Sequence, residues 1–354
     1  MLITTDDGIV GVGGSGRRDA ALIRDFIAWQ LIGQNPFALE RHADLLRQAG
    51  GGWISTWPSA TVSPRPPGCP SPPSGASTRT ASAPTPAWSP ARPVEEVAER
   101  ALELKSQGFL AVKIRAHYET LADDVRMVEL VREAVGDSME IMVDANQAGP
   151  VSASNPVAGA GVTWDLGRAT ATAREYEQLG VLWLEEPLPR YQFENLSRLR
   201  DAVGVPIAGG EGNTGLHEFH WMLRDGAYDI VQPDATTSEG LSQLRKVAAT
   251  AELMGRQFIP HHGAGGIGLA AHLHLCATLR NSPWIEFIID PPCRTLRSYQ
   301  HLGGVLAEPL NIDEEGYLDV PTGSGLGVVI DEIALQRFAT DTARSTTSRT
   351  RSTD

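Results

Sequence analysis

Along the middle of the chain, short apolar runs end in an acid or a histidine at a nearly regular interval. IMVDAN closes on Asp144, VLWLEEP on Glu185, PIAGGEG on Glu211, YDIVQPD on Asp234 and RQFIPH on His261, and WIEFI carries Glu286, with spacings of 41, 26, 23, 27 and 25 residues. Each interval can hold one strand, one helix and two loops, and parallel strands need crossovers of that size. Repeated units of this kind favour an eight-stranded α/β barrel or a doubly wound sheet. The barrel fits better, because polar residues recur on six consecutive strands instead of gathering at one switch point.

Helical patterns fill the gaps. From Pro93 to Gln107, Val94, Val97, Ala98, Ala101 and Leu102 share a face, with proline at the start and Gly108 past the end. Thr120 and Asp123 read as a capping pair ahead of Val125, Val128, Val131 and Val135, and Gly136 reads as the stop. Asp165 opens a stretch that buries Ala169, Ala173, Tyr176 and Leu179. Ser238 opens another that buries Leu241, Leu244, Val247 and Ala251.

At 354 residues there is room for one barrel and a small accessory domain, and 42% hydrophobic residues is ordinary for a soluble protein. A net charge of -13 argues against a nucleic-acid surface, which needs clustered Lys and Arg. Cys69, Cys276 and Cys293 form neither a metal-spacing pattern nor a disulfide framework. MLITTDDG lacks a charged start and an apolar signal core, and no apolar run approaches membrane-spanning length, so the expectation is a cytoplasmic protein without a membrane partner.

Asp144, Glu185 and Glu211 are hard oxygen donors at the ends of separate strands. Delivered to one rim, they suit an octahedral Mg²⁺ site with places left for water and substrate oxygens. A single acid at a loop start is more often a helix cap, but three at successive rim positions favour a metal. Lys113 and Glu286 fit a barrel-lining ion pair as well as a catalytic role. His262 reads as packing, and His272 and His274 as packing or solvent-facing. Two glycine strings, Gly11, Gly13 and Gly16, and Gly263, Gly265 and Gly268, match dinucleotide spacing but lack the strand ending in an acid that should follow, so they read as close backbone packing.

The series LAVKIRAHY, MVDANQA, WLEEPLPR, GGEGNTG, VQPDATTSEGLSQ, IPHHGAGGIGLAAHL and WIEF resembles the enolase superfamily, in its mandelate racemase and muconate lactonizing branch, from about Pro93 to Leu335. The resemblance implies a (β/α)₇β barrel capped by an α+β domain from both chain ends, and abstraction of a proton α to a carboxylate. It makes Asp144, Glu185 and Glu211 the ligands of one Mg²⁺ per active site, and leaves out Glu186, the second acid of WLEEP. His261 matches the general base, Asp234 its orienting carboxylate, and Glu286 a protonated donor to the substrate carboxylate; family sites pair Lys or His bases with Mg²⁺. Lys113 and Arg115 occupy a Lys-x-Lys position on one face of a strand, and Asn146 either contacts substrate or holds the loop after Asp144. A symmetric homo-oligomer is also implied.

Arg115 departs from that pattern. A lysine can serve as a second base once its pKa falls, but a guanidinium stays charged. The expectation is therefore a one-base lyase, an acid-sugar dehydratase that takes a small carboxylate substrate to a 2-keto-3-deoxy acid. Racemisation, epimerisation, cycloisomerisation on the same scaffold, or an inactive damaged homologue are the alternatives. The chain divides into a partial N-terminal cap (1–52), a Pro/Ser-rich irregular segment in place of the first barrel strand (53–92), the barrel (93–300), a segment returning to the cap (301–338) and a disordered tail (339–354). The abrupt change at Pro93 leads us to expect that 53–92 is an out-of-frame stretch.

Overall fold

The computed structural model describes residues 2–12, 23–48, 77–83, 93–116, 118–149, 162–263, 265–289 and 305–336, with backbone alone at 2, 12 and 77–83. A hairpin opens the chain: β1 (Leu2–Thr4) pairs antiparallel with β2 (Val10–Val12) across a turn at Gly8, whose φ of +79° suits glycine. Short α1 (Ala28–Leu31) and α2 (Leu39–Gln48) follow. Next comes β3 (Ser77–Ala83), and then an alternation begins. It runs α3 (Val94–Ser106), β4 (Ala111–Arg115), α4 (Leu121–Val135), β5 (Glu140–Asp144), α5 (Leu166–Gln178), β6 (Trp183–Glu185), α6 (Phe193–Ala202) and β7 (Ile207–Gly209). It continues through α7 (Gly215–Arg224), β8 (Ile230–Val231), α8 (Leu241–Leu253), β9 (Gln257–Phe258), α9 (Gly266–Cys276) and β10 (Trp284–Ile288), and β11 (Tyr317–Asp319) lies near the end.

Strands β3 to β9 pair parallel in chain order, and the last parallel strand, β10, returns to pair with β3. Eight parallel strands with sequential neighbours and a last strand beside the first define a β/α barrel. Among the described residues no ladder joins β9 to β10. That seam is bridged instead by Phe258 N donating to Asn281 O at 2.8 Å and His262 N donating to Glu286 Oε2 at 2.9 Å.

Side-chain parity explains where the chemistry sits. Successive residues of a strand face opposite sides, so one set lines the barrel and the other meets the helices. Ala111, Met142, Trp183, Ala208, Ile230, Ile259 and Trp284 form a separate apolar cluster, the plug of the barrel. Two residues further along their strands come Lys113, Asp144, Glu185, Gln232, His261 and Glu286. The candidate site residues therefore stand on the same inner face, one layer above the plug. The alternate set, including Val112, Ile114, Ile141, Val143, Leu184 and Ile285, packs against the helices in the main core.

Three local expectations change. On α3, Leu104 is buried and Leu102 is 50% exposed, because the buried stripe turns toward Phe109 and the sheet. Helix α8 starts after Gly240 and not at Ser238, whose hydroxyl donates to Asn213 O at 2.8 Å and so holds a loop instead of capping a helix. The segment 53–92 was read as lacking the first barrel strand, yet β3 fills that slot between β10 and β4. Its sequence STRTASA has no proline, so every backbone group can join a ladder, and the crowd of prolines on either side obscures this short stretch. Residues 53–76 and 84–92 lie outside the described residues. Over 305–336 the C-terminal segment lies on the barrel: β11 pairs antiparallel with β3, and Val305, Leu306 and Leu326 pack with Ile267, Ala270 and Ala271 of α9.

Candidate active site

Strand register sets the first row of the site. Arg115 is the partner of Asp144, and Asp144 of Glu185, so three charged side chains end neighbouring strands at one level. Each candidate metal-binding acid is in fact engaged by a different basic side chain. Lys113 Nζ donates to Glu185 Oε1 at 2.7 Å, Arg115 Nη1 lies 3.8 Å from Asp144 Oδ2, and His261 Nε2 lies 3.2 Å from Glu211 Oε2. Among the described residues no three His, Cys, Asp or Glu side chains are gathered as a ready-made metal cage.

Burial and like charge strain this arrangement. Burial first, and then the neighbouring Glu185, push the Asp144 carboxyl up to about 7. Glu186 is driven well above the usual range by burial, Glu211 and Asp144, and its Oε1 is buried with no hydrogen-bond partner among the described residues. Burial opposes the charged forms of both Glu185 and Lys113, but their contact wins: Glu185 is held low and Lys113 is held high. A buried set of hard oxygen donors that repel one another is what a divalent cation neutralises, so the donor chemistry fits Mg²⁺.

Around Glu185 the packing is dense. Oε2 accepts from Gln232 Nε2 at 2.8 Å and from Trp183 Nε1 at 3.2 Å. Asn146 donates through its backbone N and its Nδ2 to the two oxygens of Asp144, both at 2.8 Å, and accepts from Arg115. Asn146 thus fixes Asp144 from a backbone φ of +46°, a region asparagine tolerates. Glu286 accepts from Lys113 and from His262 N. The ammonium meets Oε1 and the amide Oε2, so Glu286 anchors Lys113 at the seam between β9 and β10.

The other half of the site is a dyad. His261 Nδ1 lies 2.9 Å from Asp234 Oδ2 across paired strands β8 and β9. Burial lowers the imidazole's basicity, but Glu211, the Asp234 hydrogen bond and Glu286 outweigh it and lift His261 to about 10. Asp234 is held well below the carboxylate range: burial works against this, and the hydrogen bond with His261 and the charge of that ring overcome it. Asp234 Oδ1 also accepts from Thr236 N and Thr236 Oγ1, both at 2.7 Å.

Sequence reasoning missed several members. His272 is fully buried, and its Nε2 accepts from Ala235 N at 2.9 Å. That nitrogen lies 3.7 Å from Asp234 Oδ1 without forming an ion pair, since it is already an acceptor. His262 packs edge-on to His272 with ring centroids 5.3 Å apart, as expected of a packing residue. Gln232 was legible as a polar residue in an apolar run, and Trp183 as sharing the face of Glu185; Glu186 and His272 carried no such signal. Of the second glycine string, Gly263 is closely packed: a Cβ there would come within 2.9 Å of the His261 ring. Gly13 and Gly16 lie outside the described residues.

With the barrel and its ring of charged strand ends in view, the chain belongs to the Enolase C-terminal domain-like family, whose profile matches residues 96–334. Over 251 residues it is 31% identical to the arabinonate dehydratase of Saccharolobus solfataricus, covering 71% of this chain and 61% of that protein. A second relative, the D-galactarolactone cycloisomerase of Agrobacterium fabrum, is 31% identical over 249 residues, covering 69% and 61%. The chain thus spans less than two thirds of the length of these curated relatives. A crystal structure of a racemase from Streptomyces coelicolor A3(2) with bound magnesium shares the fold, with a TM-score of 0.77 at 22% identity over 95% of this chain and 90% of that one. No described helix is long and apolar enough to cross a membrane.

Proposed function

We propose that this protein is an Mg²⁺-dependent lyase that removes the proton α to a carboxylate and eliminates water from a sugar acid, giving a 2-keto-3-deoxy acid. The observation that carries this reading is a single titrating base, His261 with its Asp234 partner, set against a fixed cation pair, Lys113 and Arg115, on β4. Asp234 accepts the Nδ1 proton and so leaves Nε2 as the exchanging atom. A metal ion held by Glu211 would offset the carboxylate charge that does most to keep the imidazole protonated; neutral His261 Nε2 then takes the α-proton as the C–H bond breaks, and returns a proton to the β-hydroxyl as the C–O bond breaks and water departs. The resulting enol then tautomerises to the ketone.

Asp144, Glu185 and Glu211 would hold the Mg²⁺. Once bound, the ion would supply electrostatic stabilisation for the negative charge that grows on the substrate carboxylate. Lys113, held by Glu286, adds a positive charge on the side away from His261. Arg115 orients a substrate carboxylate or hydroxyl with its planar fork, in a place Asn146 helps to fix.

Cycloisomerisation is the second reading, favoured by the similarity to a cycloisomerase at the same 31% identity as the dehydratase. A library of sugar acids, incubated with protein and Mg²⁺ and scored for 2-keto-3-deoxy acids, tests the choice. Keto-acid formation supports dehydration. Products that keep the elements of water, or solvent deuterium at the α-carbon with all hydroxyls retained, would replace it with isomerisation or racemisation. A folded protein that exchanges no α-proton would end both.

A further inference from the structure

We propose that Arg47 and Glu239 are positioning residues, a clamp through which helix α2 of the N-terminal segment holds the β8 loop, and with it Asp234 and Glu211, in working register. This rests on the reading of His261 and Asp234 as the base pair.

The loop from Asp234 to Gly240 is tied inward along its length. The amides of Thr236, Thr237 and Ser238 all donate to Asp234, the first to Oδ1 at 2.7 Å and the others to its carbonyl at 3.0 and 2.6 Å. Thr237 Oγ1 donates to Glu211 O at 3.0 Å, and Ser238 Oγ to Asn213 O at 2.8 Å. One short loop therefore fixes both the carboxylate behind His261 and the backbone of a candidate metal-binding acid.

At its outer end stands Glu239, with a backbone φ of +68° that glycine adopts freely and glutamate rarely does. Its carboxylate is only 7% exposed and receives a two-pronged contact from Arg47, Nε to Oε1 and Nη2 to Oε2, both at 2.9 Å, between residues 192 apart in sequence. Arg47 also holds Asp44 on its own helix at 2.8 Å, which aims the guanidinium. Nearby, Glu40 of α2 accepts from Lys246 and from Gln243 Nε2 of α8. An unfavourable backbone at a buried acid, matched by a bidentate arginine from another part of the chain, is a geometry retained for what the side chain holds.

Two full-chain variants test this, Arg47→Met and Glu239→Gly, the second relieving the backbone while removing the carboxylate. Hydrogen exchange followed by mass spectrometry should show the amides of residues 236–238 exchanging about tenfold faster or more in both, with those of β5 unchanged. Turnover of the best sugar acid should fall about fivefold or more with KM within about twofold, the split expected when a group is misaligned and binding is kept. Unchanged exchange at 236–238, equal acceleration in β5, or an unaltered turnover number would overturn the clamp. A wild-type protein that turns over no sugar acid would instead defeat the proposed reaction, and the exchange comparison would still decide whether the clamp exists.

Discussion

Asp234 Oδ2 sits 2.9 Å from His261 Nδ1, joining the ends of two adjacent barrel strands through one hydrogen bond. Because that bond occupies Nδ1, Nε2 is the nitrogen left for the proposed proton transfer. Replacing His261 by asparagine should lower turnover by about 10²- to 10⁴-fold, the range of general acid–base catalysis, while Mg²⁺ binding persists. Loss of solvent deuterium exchange at the substrate α-carbon is the accompanying signal; an active His261→Asn variant would remove this residue as the base.

Glu211 stands outside the parity of its strand, in the loop after β7, and its carboxylate contacts His261. Glu211→Gln should weaken Mg²⁺ binding more than about tenfold in titration calorimetry, since even the outer partners of metal ligands are worth about 10- to 100-fold. Equal affinity in the two proteins would exclude Glu211 as a ligand.

Arg115→Lys keeps the charge and loses the planar fork that reaches Asn146. We expect turnover to drop about tenfold or more with the product unchanged in kind, a cost typical of losing bidentate geometry. If the variant instead matches the parent in steady-state kinetics, Arg115 does not orient the substrate.

In the first turn of α4, Asp124 is fully buried and accepts from Arg168 Nη2 of α5 at 2.6 Å and from Tyr118 N at 3.1 Å. Burial pushes its carboxyl up to about 6 from 3.8, against the pull of both partners. The folded protein therefore holds this proton more tightly than the unfolded chain. The stability it contributes is complete below about pH 4 and is lost as pH rises through about 6, a swing of about 3 kcal/mol. Urea unfolding at pH 4.5 and 7 should show the parent losing stability relative to Asp124→Asn as pH increases. Parallel behaviour of the two proteins would contradict the shifted carboxyl.

Much of this molecule was legible before folding was considered. The caps at Thr120 and Asp165 form as read, each side chain accepting from the amide three residues on, because capping needs only neighbours in sequence. The recurrence of apolar runs, and the inward parity of Lys113, Asp144, Glu185, His261 and Glu286, are likewise local facts of strand geometry. What the one-dimensional pattern hid was β3, whose ladder depends on backbone groups and not on an apolar side-chain pattern.

Partnership is what the tertiary structure alone decided. Lys113 meets Glu185 and Glu286, residues 72 and 173 positions away; Ala235 N finds His272 at 37, and Arg47 finds Glu239 at 192. Strand period and helix capping are set by neighbours a few residues apart, so the amino-acid order fixes them. Which charge faces which depends on how the ring of strands closes, and that is settled by burial of the apolar plug and the helix layer as a whole, with each charged side chain then taking the partner the closed barrel leaves within reach.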